Sequence, residues 1–455
     1  MREKYQKQMS LMTALVEHPH GKELEVISQI LDENSSILDL VYQDLKQKET
    51  KTCLGAKGMS AEQVLRAAII KQMNEFSYEE LAFHIIDSSC YRWFCRIGLI
   101  DKGFGSSALC SNIKSLSPET WETINALTVV DYAKDQGIEK GRQVRMDCTV
   151  VDSNIHDPKD SNLLWDGVRV LTRILSQAKD RIEDLPIRYT DHTRIAKRRM
   201  LGIANAKTET QRTKLYQDLL KVAKKTISYA YNTMELLDQY AGLSLLPLSF
   251  KEQLEHYTSL TEKVFDQTHR RLMLDEKVPA SEKVVSIFED HTDIIVKDRR
   301  DTLYGHKICL TGGASNLILD CVILDGNPAD SDLTVKMIER QKDIYGKYPL
   351  KLALDGGFAS KENLKEAKSK QIKDVCFSKG RGLEVEDMCR SPWVYKRLRK
   401  FRAGIESGIS WVKRCFGLSR CTWKGPRSFK SYVWSSIVTA NLLTLARLKL
   451  KLQEA

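Results

Sequence analysis

The sequence predicts an α/β protein: a mixed sheet interrupted by a helical insertion and preceded by an all-α domain. Three observations predict it. Apolar β-type runs bounded by Gly, Pro or Asn occur at 144–154 and again between 284 and 378. Between them, from about 160 to 285, apolar residues keep rough helical spacing among charges of both signs. Ahead of the first run, residues 56–140 carry three helix starts that follow from capping chemistry.

Taken in order, residues 1–55 read as amphipathic helices, with Leu24, Val26, Ile27, Ile30 and Leu31 on one packing face. In 56–140, Ser60-Ala-Glu-Gln63 and Ser77-Tyr-Glu-Glu80 have the form in which a serine and a residue three further on cap each other's backbone. Ser117-Pro118-Glu119 puts proline at a first helical position, where its missing N–H costs nothing. The run Val144–Asn154 is the first strand. Helices are expected at 166–179, 207–240 and 250–274, forming an inserted subdomain over 164–285. Strands return at 284–288, 293–297, 306–311 and 317–324, with Gly312-Gly313 turning between the last two. Asn327 to Ser331 ends that strand and caps a helix over 333–345. A strand at 350–355 stops at Gly356-Gly357, a helix covers 360–370, a short strand covers 374–378, and a helix-like segment runs from Arg402 to Lys413. Three strands in hairpin order, alternating helix and strand, and a final helix are the order of a ribonuclease H-like fold with an insertion after its first strand. That fold would occupy 141–163 and 286–445, with a basic tail at 446–455.

Size and charge narrow the function. At 455 residues the chain should hold two or three cores. Lys and Arg outnumber Asp and Glu 71 to 60, and residues 391–455 alone hold 14 Lys or Arg against Glu406 and Glu454, a net of +12. The positive charge is therefore a local patch, which points to a polyanion partner, nucleic acid first. The 11 cysteines lack CxxC or paired-histidine spacing, which favours a reducing compartment over a disulfide framework or a zinc site. No signal-peptide core and no run of about 18 apolar residues occurs, so a soluble intracellular protein is expected.

Three acids stand where phosphoryl-transfer chemistry could use them, since two divalent cations need oxygen ligands converging from separate elements. Asp147 lies inside an apolar strand, Asp355 ends another before two glycines, and Glu406 is an isolated acid in the basic segment. Asp152, five residues beyond Asp147, points to the other face and is the weaker candidate. Each has an ordinary alternative: a buried hydrogen-bonded group for Asp147, a turn signal for Asp355, and an i,i+4 ion pair with Arg402 for Glu406.

The joint pattern resembles DDE-type insertion-sequence transposases over residues 60–445. The matching pieces are Met146-Asp147-Cys-Thr-Val-Val, Asn154-Ile-His156-Asp-Pro158 through Arg169, Tyr304-Gly-His306-Lys, Gly326-Asn327-Pro328-Ala-Asp330, Leu354-Asp355-Gly-Gly-Phe358 and the Arg402, Glu406, Lys413 spacing. Upstream, Leu65–Met73, Phe76–Leu81 and Tyr91–Leu99 resemble the bacterial members' N-terminal domain, which leads into a helix-turn-helix. The equivalent helix here would be 106–116, offering Ser107, Ser111, Asn112 and Lys114 to DNA, although an ordinary helical bundle fits the same residues. Where the family often has Tyr three residues before the arginine, this chain has Arg399.

The resemblance implies that Asp147, Asp355 and Glu406 hold two Mg²⁺ or Mn²⁺ ions, and that Arg402 and Lys413 clamp phosphates. It also implies cleavage at terminal inverted repeats of double-stranded DNA, joining of 3′ ends to target DNA, and a homodimer or higher assembly in the cytoplasm at the nucleoid. Arg399, Lys424, Arg427 and Lys430 would add DNA contacts. The interleaved Trp423–Trp434 segment fits either base stacking or packing of the last helix, and His306 and Asn327 fit core or turn roles. Two alternatives stay open: a metal-dependent nuclease of the same fold, and a transposase-derived DNA-binding protein without catalysis.

Overall fold

A computed structural model describes residues 3–4, 18–47, 58–98, 100–240, 245–297 and 301–453. It divides into two compact units, residues 1–153 with 305–455, and residues 154–304. The first unit opens with helices α1 (Pro19–Glu33), α2 (Ile37–Gln47), α3 (Ala61–Asn74), α4 (Tyr78–Asp87), α5 (Ser89–Phe94), α6 (Ser106–Ile113), α7 (Pro118–Asn125) and α8 (Tyr132–Asp135). The expected helix starts form as capping chemistry dictates. Ser60 Oγ accepts from Gln63 N–H at 3.2 Å while the Gln63 side chain accepts from Ser60 N–H at 3.1 Å. Ser77 and Glu80 repeat the exchange at 3.2 and 2.7 Å, and Ser117 accepts from Thr120 N–H at 3.1 Å ahead of Pro118.

The sheet is built from β1 (Gln143–Asp152), β2 (Asp293–Lys297), β3 (Asp301–Gly312), β4 (Ile318–Ile323), β5 (Lys351–Leu354) and β6 (Asp374–Phe377). In the first unit the order is β4-β3-β1-β5-β6. β1 runs antiparallel to β3 and parallel to β5, and β5 runs parallel to β6. Helices α13 (Asp330–Tyr345), α14 (Lys361–Ser369), α15 (Val385–Met388), α16 (Pro392–Cys415) and α17 (Pro426–Gln453) complete this unit. The result is the expected mixed α/β sheet with helical crossovers. The parallel strands β5 and β6 are buried and nearly continuous in apolar residues, as strands covered on both faces require.

α17 is buried on nearly every side from Phe429 to Ala446, which suits a helix whose apolar residues do not keep to one stripe. It packs against α1, α3 and α7, so the N-terminal helices and the sheet share one hydrophobic cluster. Two buried amides fasten this arrangement. Asn441 accepts from Ile318 N–H at 2.9 Å and donates to the Ile318 carbonyl at 2.7 Å and to Asn125 at 2.8 Å. Gln72 donates to the Phe416 carbonyl at 2.6 Å and to Ser436 at 2.8 Å. Because α17 continues through Gln453, residues 446–453 are helix rather than the expected tail.

The second unit holds α9 (Asp160–Arg181), α10 (Thr193–Ala204), α11 (Glu209–Tyr240) and α12 (Leu245–Met273), packed around Leu164, Leu171, Leu219, Leu254 and Val264. α10 was not expected from the sequence, and the unit extends beyond the anticipated 164–285 at both ends. Residues 284–288 do not form the expected strand. Ser286 Oγ instead accepts from the N–H groups of Phe288 and Glu289, both at 3.1 Å, and bends the chain. The helix expected at 333–345 begins earlier, at Asp330, and carries no side-chain cap; the Asp330 carboxylate pairs with Lys307 at 2.7 Å instead. No described helix is long and apolar enough to cross a membrane.

Lys71 is a buried cation in α3, and its ammonium lies 5.1 Å from the centre of the Tyr78 ring. Burial, with the nearby Lys114 charge, lowers its pKa to about 8 from the ordinary 10.5. A lysine whose folded pKa is depressed penalises folding fully below that pKa, and the penalty disappears above the unfolded value. Lys71→Met is therefore expected to stabilise the protein at pH 7 by at most about 3 kcal/mol. Urea denaturation of both proteins between pH 7 and 10.5 should show that advantage shrinking once the pH passes about 8.

Candidate active site

Strand register brings the first two acids together. Met146 on β1 pairs with Leu354 on β5, and Leu354 pairs with Phe377 on β6. One residue further along each chain stand Asp147, in the middle of β1 where its pairing with β5 stops, and Asp355 and Ser378, just past the carboxyl ends of β5 and β6, in strands about 4.8 Å apart. Ser378 Oγ donates to Asp355 Oδ1 at 2.6 Å and accepts from Gly356 N–H at 3.0 Å.

α16 supplies the third acid. Leu398, Ile405, Ile409 and Val412 form the stripe it buries, and it packs across β1, β5 and β6. The helix spans 24 residues, twice the segment expected, because Ser391 caps it from Val394 N–H and Pro392 occupies its first turn. From it Arg402 reaches Asp355 Oδ1 at 2.9 Å with one guanidinium nitrogen and Glu406 Oε1 at 2.5 Å with another. The i,i+4 ion pair that the sequence offered for Glu406 is therefore present, and it is one half of a bridge to the sheet.

Burial pushes the Asp147 carboxyl up to about 6. Its bond from Cys148 N–H at 2.8 Å and the Arg402 charge oppose that rise, while the charges of Asp355 and Glu406 add to it. Burial likewise raises the Asp355 carboxyl, but the Ser378 hydroxyl, the Gly356 N–H and Arg402 outweigh it and leave the group below the usual carboxylate range. Arg402 thus bridges Asp355 and Glu406, and Asp147 lies near enough to sense all three charges.

Among the described residues no three His, Cys, Asp or Glu side chains converge closely enough to hold a metal ion. The donor set nevertheless fits a divalent cation. It is made of hard carboxylate oxygens on three separate elements, and a cationic side chain already sits between two of them.

Arg145 is a supporting residue that the sequence reading passed over. It lies two residues before Asp147 and so on the same face of β1, a charged side chain in an apolar strand, which was the available signal. Its guanidinium donates to the Phe401 carbonyl at 2.8 Å and to Asn316 Oδ1 at 2.5 Å. Ser378 had no such signal, since only the β5–β6 register identifies it. Glycine roles also become specific. Gly404 faces the Arg145 guanidinium with no room for a Cβ, whereas Gly408 has nothing within 4 Å. The two glycines after Asp355 are packing positions: a Cβ on Gly356 would lie 2.8 Å from Lys379 Cβ, and one on Gly357 2.6 Å from an Asp330 oxygen.

The other residues singled out by sequence fall in two places. Lys413 is half-buried and donates to the Val150 carbonyl of β1 at 2.7 Å, which ties the far end of α16 to the sheet. Asp152 is adjacent to Lys413 and Arg420 in charge, not to the Asp147 group. Arg399 is exposed on α16. A second basic surface forms where α6 meets the start of α17. The Lys114 ammonium lies 6.0 Å from the Trp423 ring centre, Ser431 donates to the Leu116 carbonyl, and Lys424, Arg427 and Lys430 are exposed. Asn112 is half-buried there, donating to the Ala108 carbonyl at 2.8 Å. Trp423 and Trp434 are both buried, so they pack rather than present base platforms. His306 is buried edge-on against Phe429, with ring centres 4.7 Å apart, and Asn327 is exposed in the turn before α13.

Gly404→Ala should destabilise the protein by about 1–3 kcal/mol, because the Arg145 guanidinium must leave its two partners or α16 must lift from β1. Gly408→Ala should be neutral or stabilise by up to about 1 kcal/mol through helix propensity alone. Urea unfolding of the two variants side by side checks the contrast.

Residues 296–442 match the family model of the transposase DDE domain, a span that contains Asp355, Arg402 and Glu406, and residues 13–115 match a second model, a transposase domain (DUF772). No curated protein and no solved structure matches the chain. The DDE match begins at residue 296, near the end of the second unit, so Asp147 lies outside it and approaches the other two acids through the pairing of β1 with β5. With a transposase match at its N-terminus and another over the sheet and helix that carry the paired acids, the chain belongs to the DDE-type insertion-sequence transposases.

Proposed function

We propose that this protein is a DNA transposase that binds the terminal inverted repeats of an insertion sequence, cleaves there, and joins the 3′-hydroxyl ends to target DNA. The observation that carries the reading is that Arg402 bridges Asp355, at the carboxyl end of β5, and Glu406, with Asp147 of the adjoining β1 close enough to feel all three charges. Ligand sites of α/β sheets open at such ends. Two Mg²⁺ or Mn²⁺ ions held by the three carboxylates would activate water or a 3′-hydroxyl and stabilise the leaving 3′-oxygen.

The chain's own residues divide the remaining work. Ser378 and Gly356 N–H fix the orientation of Asp355. Arg145 fixes α16 against β1, and so the position of Glu406. Arg402 balances the negative charge of the carboxylates while no other cation is present, and its guanidinium is suited to take a phosphate once those oxygens turn to a metal. Arg399 extends the positive field along α16, and Lys413 at its far end would clamp a further phosphate. The surface of Asn112, Lys114, Lys424, Arg427 and Lys430 is suited to the backbone of the inverted repeat, since clustered cations bind DNA by releasing its counterions. Two ends must be held during joining, so a homodimer or larger assembly on DNA is part of the reading, with the bacterial cytoplasm and nucleoid as its setting.

A labelled duplex carrying the element's inverted repeats, incubated with Mg²⁺ or Mn²⁺, should be nicked and joined by the wild type. Glu406→Gln should lose both activities by at least about 100-fold while retaining DNA binding. Undiminished cleavage by Glu406→Gln would overturn the assignment of the acids. Nicking without joining would mark a nuclease, and binding without chemistry in both proteins would mark an inactive DNA-binding descendant.

A further inference from the structure

The first turns of α16 combine features that are costly without a ligand. Trp393 is 66% exposed, the one exposed residue among the seven tryptophans. Together with Lys396, Arg397, Arg399, Lys400 and Ala403 it lines an open hollow of about 660 Å³. The Arg397 guanidinium lies 5.4 Å from the indole centre. Arg402 is neutralised by Asp355 and Glu406, whereas none of these four cations forms an ion pair with a described residue.

Helix energetics do not explain the cluster. Lys396 and Lys400 are like charges at i,i+4, which destabilise a helix surface. An exposed indole adds an apolar face that water must cover. Phosphates would relieve the charge repulsion, and a base would cover the ring. A duplex supplies phosphates but keeps its bases stacked inside, so an unpaired strand is the one form of DNA that satisfies both.

The position of the hollow relates it to the acids. Arg399, Ala403 and Glu406 follow at i, i+4 and i+7 and share one stripe of α16, so the floor of the hollow leads directly to the candidate catalytic group. From Trp393 to Glu406 the helix rises about 20 Å. That length corresponds to roughly six nucleotides of a stacked strand at about 3.4 Å each.

We propose that the N-terminal half of α16 binds a short unpaired stretch of DNA next to the reacting phosphate, with a base stacked on Trp393 and phosphates held by Lys396, Arg397, Arg399 and Lys400. This rests on the DNA-cleaving reading of the Asp147, Asp355 and Glu406 site.

Fluorescence anisotropy of the full-length protein, with EDTA present so that no cleavage occurs, tests it. The probes are a labelled oligothymidine of roughly 12 nucleotides and a duplex of equal length. Wild type should bind the single strand, Trp393→Ala should weaken that binding by roughly 5- to 150-fold, the loss of one stacked base, and Trp393→Phe should recover most of it. Duplex binding by Trp393→Ala should change by less than about twofold, and K396Q/K400Q should lower the salt dependence of single-strand binding by roughly two charges. Unchanged single-strand binding by Trp393→Ala, an equal loss for both probes, or no single-strand binding by wild type would each overturn the proposal. Matching thermal melts of the variants separate a lost contact from a lost fold. Because the readout is binding without metal, it is independent of the Glu406→Gln cleavage result that decides the transposase reading.

Discussion

One guanidinium organises the centre of this protein. Arg402 donates to Asp355 and Glu406 and lowers the cost of keeping Asp147 near both of them. Without a cation at that point, three carboxylates on adjacent elements would repel, and the group already pushed toward about 6 would be pushed further. The helix position that makes this possible is itself fixed by a second arginine. Arg145 grips the Phe401 carbonyl and fills the space that a side chain at Gly404 would need. Two arginines, one on the strand and one on the helix, therefore define the distance between sheet and helix from which the acid on α16 reaches the sheet.

The scaffold around that point tolerates a long insertion because the insertion leaves and returns through paired residues. Val151 faces His306 and Asp152 faces Gly305 across β1 and β3, so the chain departs at Asn154 and re-enters with its ends already adjacent. Closing such a loop costs little more as the loop lengthens. Gly305 is needed at the re-entry, where a Cβ would collide with the Val151 carbonyl. The other constraint is α17, whose amide at Asn441 ties the edge strand β4 to α7 and whose apolar surface serves both the sheet and the N-terminal helices.

Charge is distributed to match. The net +12 of the last 65 residues is not one uniform field: it separates into the start of α16, the paired Arg402, the strand-bound Lys413 and the Lys424–Lys430 surface beside Lys114. Cations of equal formal charge thus have different work. Arg402 and Lys413 are partly committed to protein oxygens, and Arg399, Lys424, Arg427 and Lys430 are exposed to solvent.

The sequence by itself determined most of the elements and singled out the three candidate acids. Capping serines, strand-length apolar runs and the Arg402, Glu406 spacing are local signals, set by neighbours three or four residues away. It also showed that Asp355 ends a strand and that Glu406 is an exception within a basic segment. What it did not contain were pairings between distant segments. Asp147, Asp355 and Ser378 become neighbours only through the β1–β5–β6 register, and Gly404 acquires its reason only when Arg145 lies against it. Residues 284–288 look like a strand by composition, yet Ser286 bends them, because β propensity yields to a side chain that satisfies the backbone locally. Burial likewise separated buried Trp423 from exposed Trp393, two tryptophans in similarly basic segments. Local chemistry is written along the chain, whereas register, burial and close approach arise only when remote segments compete for the same space.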